Sequence, residues 1–273
     1  NDFFKIIEYA HQWISLYQQQ PIMLEKDPIL YMRGLNYLLN ASWYCRDHRQ
    51  YSYAYHSLSY FRDTYQKKWG KNAEVLAFVY DSHAQLNRIF WEGNIGQGLS
   101  IAPSLLAKLK EYENYLDAHK VLIFHYKLAW LYFCSSQQEE ALVHLNTITN
   151  HKAAQLRDEL LIYTNLLALM THYDLKNYAV LEYKILSTER LLKKAKRTDA
   201  LQHFILQLIK KLVQHRNSEL LPLLKDMLTE VQQLKKDPYL RRSFHYLDLV
   251  VWLQHQLSSK PIEQLLKEQF AAS

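Results

Sequence analysis

The sequence holds thirteen histidines, two cysteines and 27 acidic residues, but their spacing argues against a metal or acid–base centre. A zinc or iron site needs three or four converging ligands. His144 and His151 are two helical turns apart, too far to share one ion. His119 and His125 are six positions apart and face differently, while Cys45 and His48 meet only across a helix end. No His-Glu-x-x-His motif is present. The acidic pairs Glu139-Glu140 and Asp158-Glu159 fall at helix starts, where carboxylates offset the helix dipole. No serine lies in a Gly-x-Ser-x-Gly elbow. Gly93-Asn-Ile-Gly96-Gln-Gly98 has the glycines of a phosphate loop, but no strand precedes it and no Gly-Lys-Ser/Thr follows. It reads as a helix terminator followed by an irregular connection, a mobile loop or a seam near 93–103. Cys45 and Cys134 read as buried core thiols in a reducing compartment. The chemistry-bearing residues therefore predict a non-enzymatic chain with no cofactor and no metal.

The elements that carry these residues read as helices throughout. Only 5 glycines and 6 prolines in 273 residues argue against a turn-rich β or α/β protein. Leucine, glutamine and lysine favour helix, and 49% hydrophobic content suffices for a large core. Asp27-Pro28 and Asp237-Pro238 are helix starts, with aspartate as cap and proline in the first turn. The pattern predicts helices over 2–20, 28–46, 50–69, 71–92, 103–117, 119–135, 138–149, 155–173, 176–197, 199–216, 218–236 and 239–257, with a short last helix after Lys260-Pro261. No apolar run reaches the roughly 18 residues of a membrane span. No signal peptide is visible, although a chain that starts at Asn1 leaves this uninformative.

Within Leu128–Leu145, Leu128, Ala129 and Tyr132 share one helical face, and Ala141 and Leu145 repeat it beyond Ser135-Ser136. Small residues let two helices approach closely while large ones fill the flanks. Further copies read at Asn40–Leu58, with Ser42, Tyr51, Ala54 and Leu58, and at Leu167–Leu181, with Leu167, Ala168 and Val180 about a turn at 174–177. These residues resemble the tetratricopeptide repeat. Two features depart from that family: Ser136 stands where glycine is usual, and the closing proline is missing after Asn150. The resemblance implies an irregular right-handed α–α superhelix of antiparallel helix pairs, a single repeat domain over 1–273.

In such a superhelix the first helix of each pair lines a concave face. Projected onto this chain, that face carries Asn36, Asn40, Trp43 and Arg46, then Tyr126, Lys127 and Trp130, then Asn165 and His172. Asparagine pairs with peptide backbone, and Arg46 and Lys127 suit carboxylates. The alternative for Trp43 and Trp130 is packing between neighbouring helices. Tyr44, Tyr51, Tyr53, Tyr55, Tyr60 and Tyr65 crowd one hairpin, and some must face solvent or another chain. Residues 190–242 hold 13 Lys/Arg against 5 Asp/Glu, although the whole chain is only +6. This basic third is either a set of helix ends complementing dipoles or a footprint for nucleic acid or another acidic partner. The expected function is a cytoplasmic scaffold, or a soluble segment of a larger protein, that binds a peptide or protein and is open to self-association. A regulatory or nucleic-acid-binding module on 190–242 is the second reading, and membrane binding is not expected.

Overall fold

The computed structural model describes residues 2–153, 158–215 and 220–272. Among these the chain is all-helical, with no strand. The helices are α1 (Phe3–Gln18), α2 (Pro21–Lys26), α3 (Pro28–Cys45), α4 (His48–Tyr65), α5 (Lys71–Glu92), α6 (Ile95–Glu111), α7 (Ala118–Cys134) and α8 (Gln138–Thr149). They continue as α9 (Asp158–Asp174), α10 (Tyr178–Lys194), α11 (Ala200–Gln214), α12 (Leu221–Leu234), α13 (Arg241–Tyr246), α14 (Leu249–Ser258) and α15 (Ile262–Ala271). The expected helix starts at Gln155 and Ser218, and the end at Arg216, lie outside the described residues.

Aspartate caps set several of these starts. A carboxylate oxygen of Asp27, Asp47, Asp117, Asp199 and Asp248 accepts the backbone N–H three residues on. Each satisfies a donor that the first helical turn leaves open. At Asp199 the Gln202 side chain returns the contact, completing a capping box. α5 and α8 begin and end where the periodicity places them.

Several boundaries differ from the sequence reading, three of them by whole stretches of helix. The stretch 95–103 is helical, because α6 begins at Ile95 and Pro103 sits inside it. Gly98 lets α6 approach α7: a Cβ there would clash with a Leu131 methyl. Pro21–Lys26 forms a separate short helix, with proline in its first turn. The helix expected over 239–257 breaks at Leu247, whose extended backbone lets Asp248 cap a new helix, α14.

Four helix-to-helix turns have one geometry. Arg46, Gly93, Ser136 and Lys176 all take left-handed backbone, with φ of 59°, 70°, 60° and 57°. In each, the next residue's N–H reaches back five positions to a carbonyl of the finished helix. The bonds are Asp47 to Ser42 at 2.9 Å, Asn94 to Ile89 at 2.9 Å, Gln137 to Tyr132 at 2.9 Å and Asn177 to His172 at 3.0 Å. This closure caps the last carbonyls and reverses the chain within a few residues. The pairs so closed are α3–α4, α5–α6, α7–α8 and α9–α10.

The chain divides into two compact units, one of Asn1–Arg88 with Leu105–Leu116, the other of Ile89–Ser104 with Asp117–Ser273. The divisions cross α5 and α6. In the first unit α1 packs on α3 and α3 on α4, around Met32, Leu35, Leu38, Tyr51, Leu58 and Phe61. The Tyr51 hydroxyl donates to the Ala84 carbonyl at 2.7 Å, tying α4 to α5. In the second unit α7 packs on α8, α8 on α9, and α9 on both α10 and α11. Leu128, Ala129, Tyr163, Leu167, Ile205, Leu208 and Trp252 are fully enclosed there or nearly so. Cys134 is buried, while Cys45 is half-buried.

Candidate partner-binding face

On α3, the apolar residues Met32, Leu35, Leu38 and Leu39 turn inward, towards α1 and α4. The helical repeat then leaves Arg33, Tyr37 and Asn40 on one exposed stripe, with Asn36 half-buried beside it. Two aromatics flank the stripe. Trp13 of α1 meets Tyr37 with ring centroids 6.0 Å apart. Tyr80 of α5 lies beside Arg33 and Tyr37; burial raises its phenol pKa, and the Arg33 cation opposes the rise. Trp13, Arg33, Tyr37, Asn40 and Tyr80 thus gather aromatic faces, a guanidinium and an amide on one surface of the first unit. Such side chains hold the apolar groups, carboxylates and backbone amides of a peptide.

Of the residues projected onto the inner face, Asn36 and Asn40 belong to this stripe. Trp43 is only 8% exposed. It packs between α3 and α4 against Tyr51, and the Arg46 guanidinium lies 5.6 Å over its ring. Arg46 itself is the left-handed residue of the turn. Asn36 and Asn40 stand 90 positions before Tyr126 and Trp130, as Arg46 stands 90 before Ser136. The third copy keeps a different register. Lys176 follows Ser136 by 40 positions, whereas Leu167-Ala168 follows Leu128-Ala129 by 39. Asn165 and His172 therefore sit on other faces of their helix than Tyr126 and Trp130 do.

In the second unit Tyr126, Trp130 and His172 are buried, and Lys127 and Asn165 are half-buried. Neither α7 nor α9 has an exposed residue. Tyr126 donates its hydroxyl to the Tyr246 carbonyl at 3.0 Å. Trp130 is 7% exposed and stacks on Phe133 at 5.4 Å. Burial brings the Lys127 ammonium down to about 7 and the His172 imidazole down to about 4. The Asn165 side-chain amide donates to the Leu161 carbonyl of its own helix. The cover comes from α13 and α14. Tyr246 stacks on Tyr163 at 4.8 Å, and Trp252 meets Tyr173 at 5.9 Å.

Comparison of the chain with protein-family models, with curated proteins and with solved structures gives no match in any of the three. The function must therefore be read from the side chains.

Three polar junctions of the second unit were not visible in the sequence. Asp199 accepts from the Tyr163 hydroxyl at 3.0 Å and the Ser243 hydroxyl at 2.7 Å while capping α11, so one carboxylate joins α9, α11 and α13. Asp174 accepts from the Trp252 indole at 3.3 Å, the Gln256 amide at 2.9 Å and the Gln138 amide at 3.3 Å. Burial pushes its carboxyl up to about 6, and the Trp252 N–H opposes the rise. His125 and His144 share a hydrogen between their Nδ1 atoms at 2.9 Å, and Tyr132 stacks on His144. Burial, then His125, brings His144 down to about 4. The two histidines are equidistant from the Cys134–Ser135 bond, and that symmetry about a hairpin turn was the available signal. Among the described residues no group of three or more His, Cys, Asp or Glu side chains is placed to hold a metal. No helix of the described residues is long and apolar enough to cross a membrane.

Proposed function

We propose that the chain is a non-catalytic helical-repeat scaffold that binds a peptide or protein partner through the exposed stripe of α3 and its neighbours. The observation that carries the repeat reading is the recurring turn. Left-handed residues at 46, 93, 136 and 176 stand 47, 43 and 40 positions apart, each closing the turn between two consecutive helices with the same hydrogen bond. That interval is longer than the 34-residue tetratricopeptide unit and falls in the roughly 40–47-residue range of other two-helix arrays. An irregular right-handed α–α superhelix of tetratricopeptide type is the architecture this reading expects. Its first helices face the partner, which places Arg33, Tyr37 and Asn40 at the contact. Asp199 and Asp174 each join three helices and His125–His144 joins α7 to α8, a structural use that supports a non-catalytic reading. The proposed setting is the cytoplasm.

The test is peptide selection from a display library with wild-type protein and with an Arg33→Ala/Tyr37→Ala/Asn40→Ala variant of equal helix content. These side chains are exposed, so the variant is expected to fold. Loss of about tenfold or more in affinity for the selected peptides supports the face, since exposed hot-spot aromatics and arginines each contribute about 1–2 kcal/mol. Equal affinity in the variant removes this face from the function.

A further inference from the structure

The basic residues of 190–242 are spread along the sequence, but the fold of the second unit brings two groups of them to one edge. The backbone N–H of Lys196 reaches Asp158 at 3.4 Å. Arg242 reaches Glu159, the next residue of α9, at 2.6 Å. Ser243 donates to Asp199 at 2.7 Å. The α10–α11 connection, the start of α9 and the start of α13 therefore meet. Lys194, Lys196 and Arg197 arrive from one side and Arg241 and Arg242 from the other.

The charge at this edge is only partly compensated. Arg242 is paired with Glu159, Asp199 is turned inward to Tyr163 and Ser243, and Asp158 accepts the Lys196 backbone N–H. Lys194, Lys196, Arg197 and Arg241 are exposed, and among the described residues none forms an ion pair. Arg216, another basic residue of this third, lies outside the described residues. Helix dipoles explain a cation at a C-terminal turn. They do not explain Lys196 and Arg197, which follow α10 in a connection, or Arg241, which opens α13.

An aromatic stands just before the arginines. Tyr239 is 93% exposed. Its turn is fixed, since its N–H donates to the Asp237 carboxylate at 2.8 Å, the Leu240 N–H donates to the Asp237 carbonyl at 3.1 Å, and Pro238 lies between. Among the described residues no ring contact involves Tyr239. A hydrogen-bonded turn that presents a bare aromatic ring two residues before an unpaired arginine has the two parts of a single-strand binder. Cations follow the phosphates, and the ring stacks on a base that pairing has not hidden.

We infer that this edge, Lys194, Lys196, Arg197, Tyr239 and Arg241, binds single-stranded nucleic acid. It is distinct from the α3 stripe and does not depend on it. A double helix hides its base faces, so Tyr239 selects the single strand. An acidic polypeptide satisfies the cations but offers the ring nothing comparable.

The experiment is fluorescence anisotropy of the whole chain with labelled oligothymidylate, oligouridylate, a DNA duplex and polyglutamate, each titrated across ionic strength. Wild type is expected to bind both single strands in preference to duplex and polyglutamate. Charge reversal of Lys194, Lys196, Arg197 and Arg241 to Glu is expected to weaken single-strand binding about tenfold or more. It should also make the slope of log affinity against log salt shallower by about 3, roughly 0.7 for each of four phosphate contacts. Tyr239→Ala is expected to weaken single strands about fivefold or more and to leave polyglutamate unchanged. A control reversal of exposed Lys26 and Lys67, in the first unit, should change little. Three results overturn the inference: no single-strand binding at low salt, equal loss in the control, or polyglutamate bound as tightly as the single strands.

Discussion

Three of the four equivalent turn positions hold residues that pay for a left-handed backbone, so their replacement by glycine has a definite sign. Ser136 and Lys176 have φ of 60° and 57° and are exposed. An L-residue there costs roughly 1–2 kcal/mol that glycine does not. Glycine returns about 0.5–1 kcal/mol of this as extra unfolded-state entropy. Ser136→Gly and Lys176→Gly should therefore each stabilise the chain by roughly 0.5–1 kcal/mol. Arg46→Gly should differ. It relieves the same backbone but removes the guanidinium from over Trp43, an exposed cation–π contact of about 0.5–1 kcal/mol. The two effects offset, and the variant should sit within about 0.5 kcal/mol of wild type. Ser136 and Lys176 occupy different turns with no shared partner, so the double variant should be close to additive. Urea unfolding followed by far-UV circular dichroism reads this directly, as a rise in midpoint at unchanged slope. If Ser136→Gly and Lys176→Gly lower the midpoint, the backbone geometry of the repeating turn is refuted, and with it the repeat reading.

Gly93 should answer in the opposite sense. A Cβ there would meet the Lys267 backbone nitrogen at 2.6 Å and the Glu263 carbonyl oxygen at 3.0 Å. Gly93→Ala should cost about 3 kcal/mol or more, combining left-handed strain with a clash that only movement of α15 relieves. Faster amide exchange over 262–271 is the local signature; unchanged protection there contradicts the contact. Acid should destabilise the chain through His144 and His172, both held near 4 by burial against an ordinary 6.5. Folding binds fewer protons at these sites, so their stability is complete above pH 6.5 and is lost as pH falls towards 4, by at most roughly 3 kcal/mol each. Asp174, held up near 6, works the other way and gains stability as pH falls through that value. Asp174→Asn should therefore steepen the acid loss measured by thermal melts between pH 6.5 and 4, and a flatter profile would contradict the buried carboxylate.

The helices were legible because their signals are local. Asp-Pro starts, aspartate caps and the period of buried residues lie within a few positions of what they determine. The Gly93–Gly98 stretch misled because glycine is ambiguous. Gly93 terminates a helix, whereas Gly98 sits inside the next one for the sake of Leu131. The break at Leu247 carries no glycine or proline, so periodicity ran through it. The third repeat slipped by one position because Leu167-Ala168 imitates Leu128-Ala129, and only the left-handed residue at 176 fixes the register. The stripe of α3 was partly legible, through Asn36 and Asn40. Arg33 and Tyr37 lie on the same periodic face and were within reach of the same reasoning. The burial of Tyr126, Trp130 and His172 was not legible. Tyr126 is covered by Tyr246 of α13, which comes from far along the chain, and helical periodicity describes a face without saying what covers it.

The contact between Gly93 and α15 also has a meaning in time. Synthesis is vectorial, and Lys267 follows Gly93 off the ribosome by roughly 10–35 s at 5–20 residues per second. During that interval the α5–α6 turn can close on itself through its own hydrogen bond, Asn94 to Ile89, but it waits uncovered. The nascent chain thus carries a finished hairpin whose outer wall has not yet been made. A chaperone or a misplaced segment has its longest access to the second unit at that turn, and α15 ends the opportunity when it arrives.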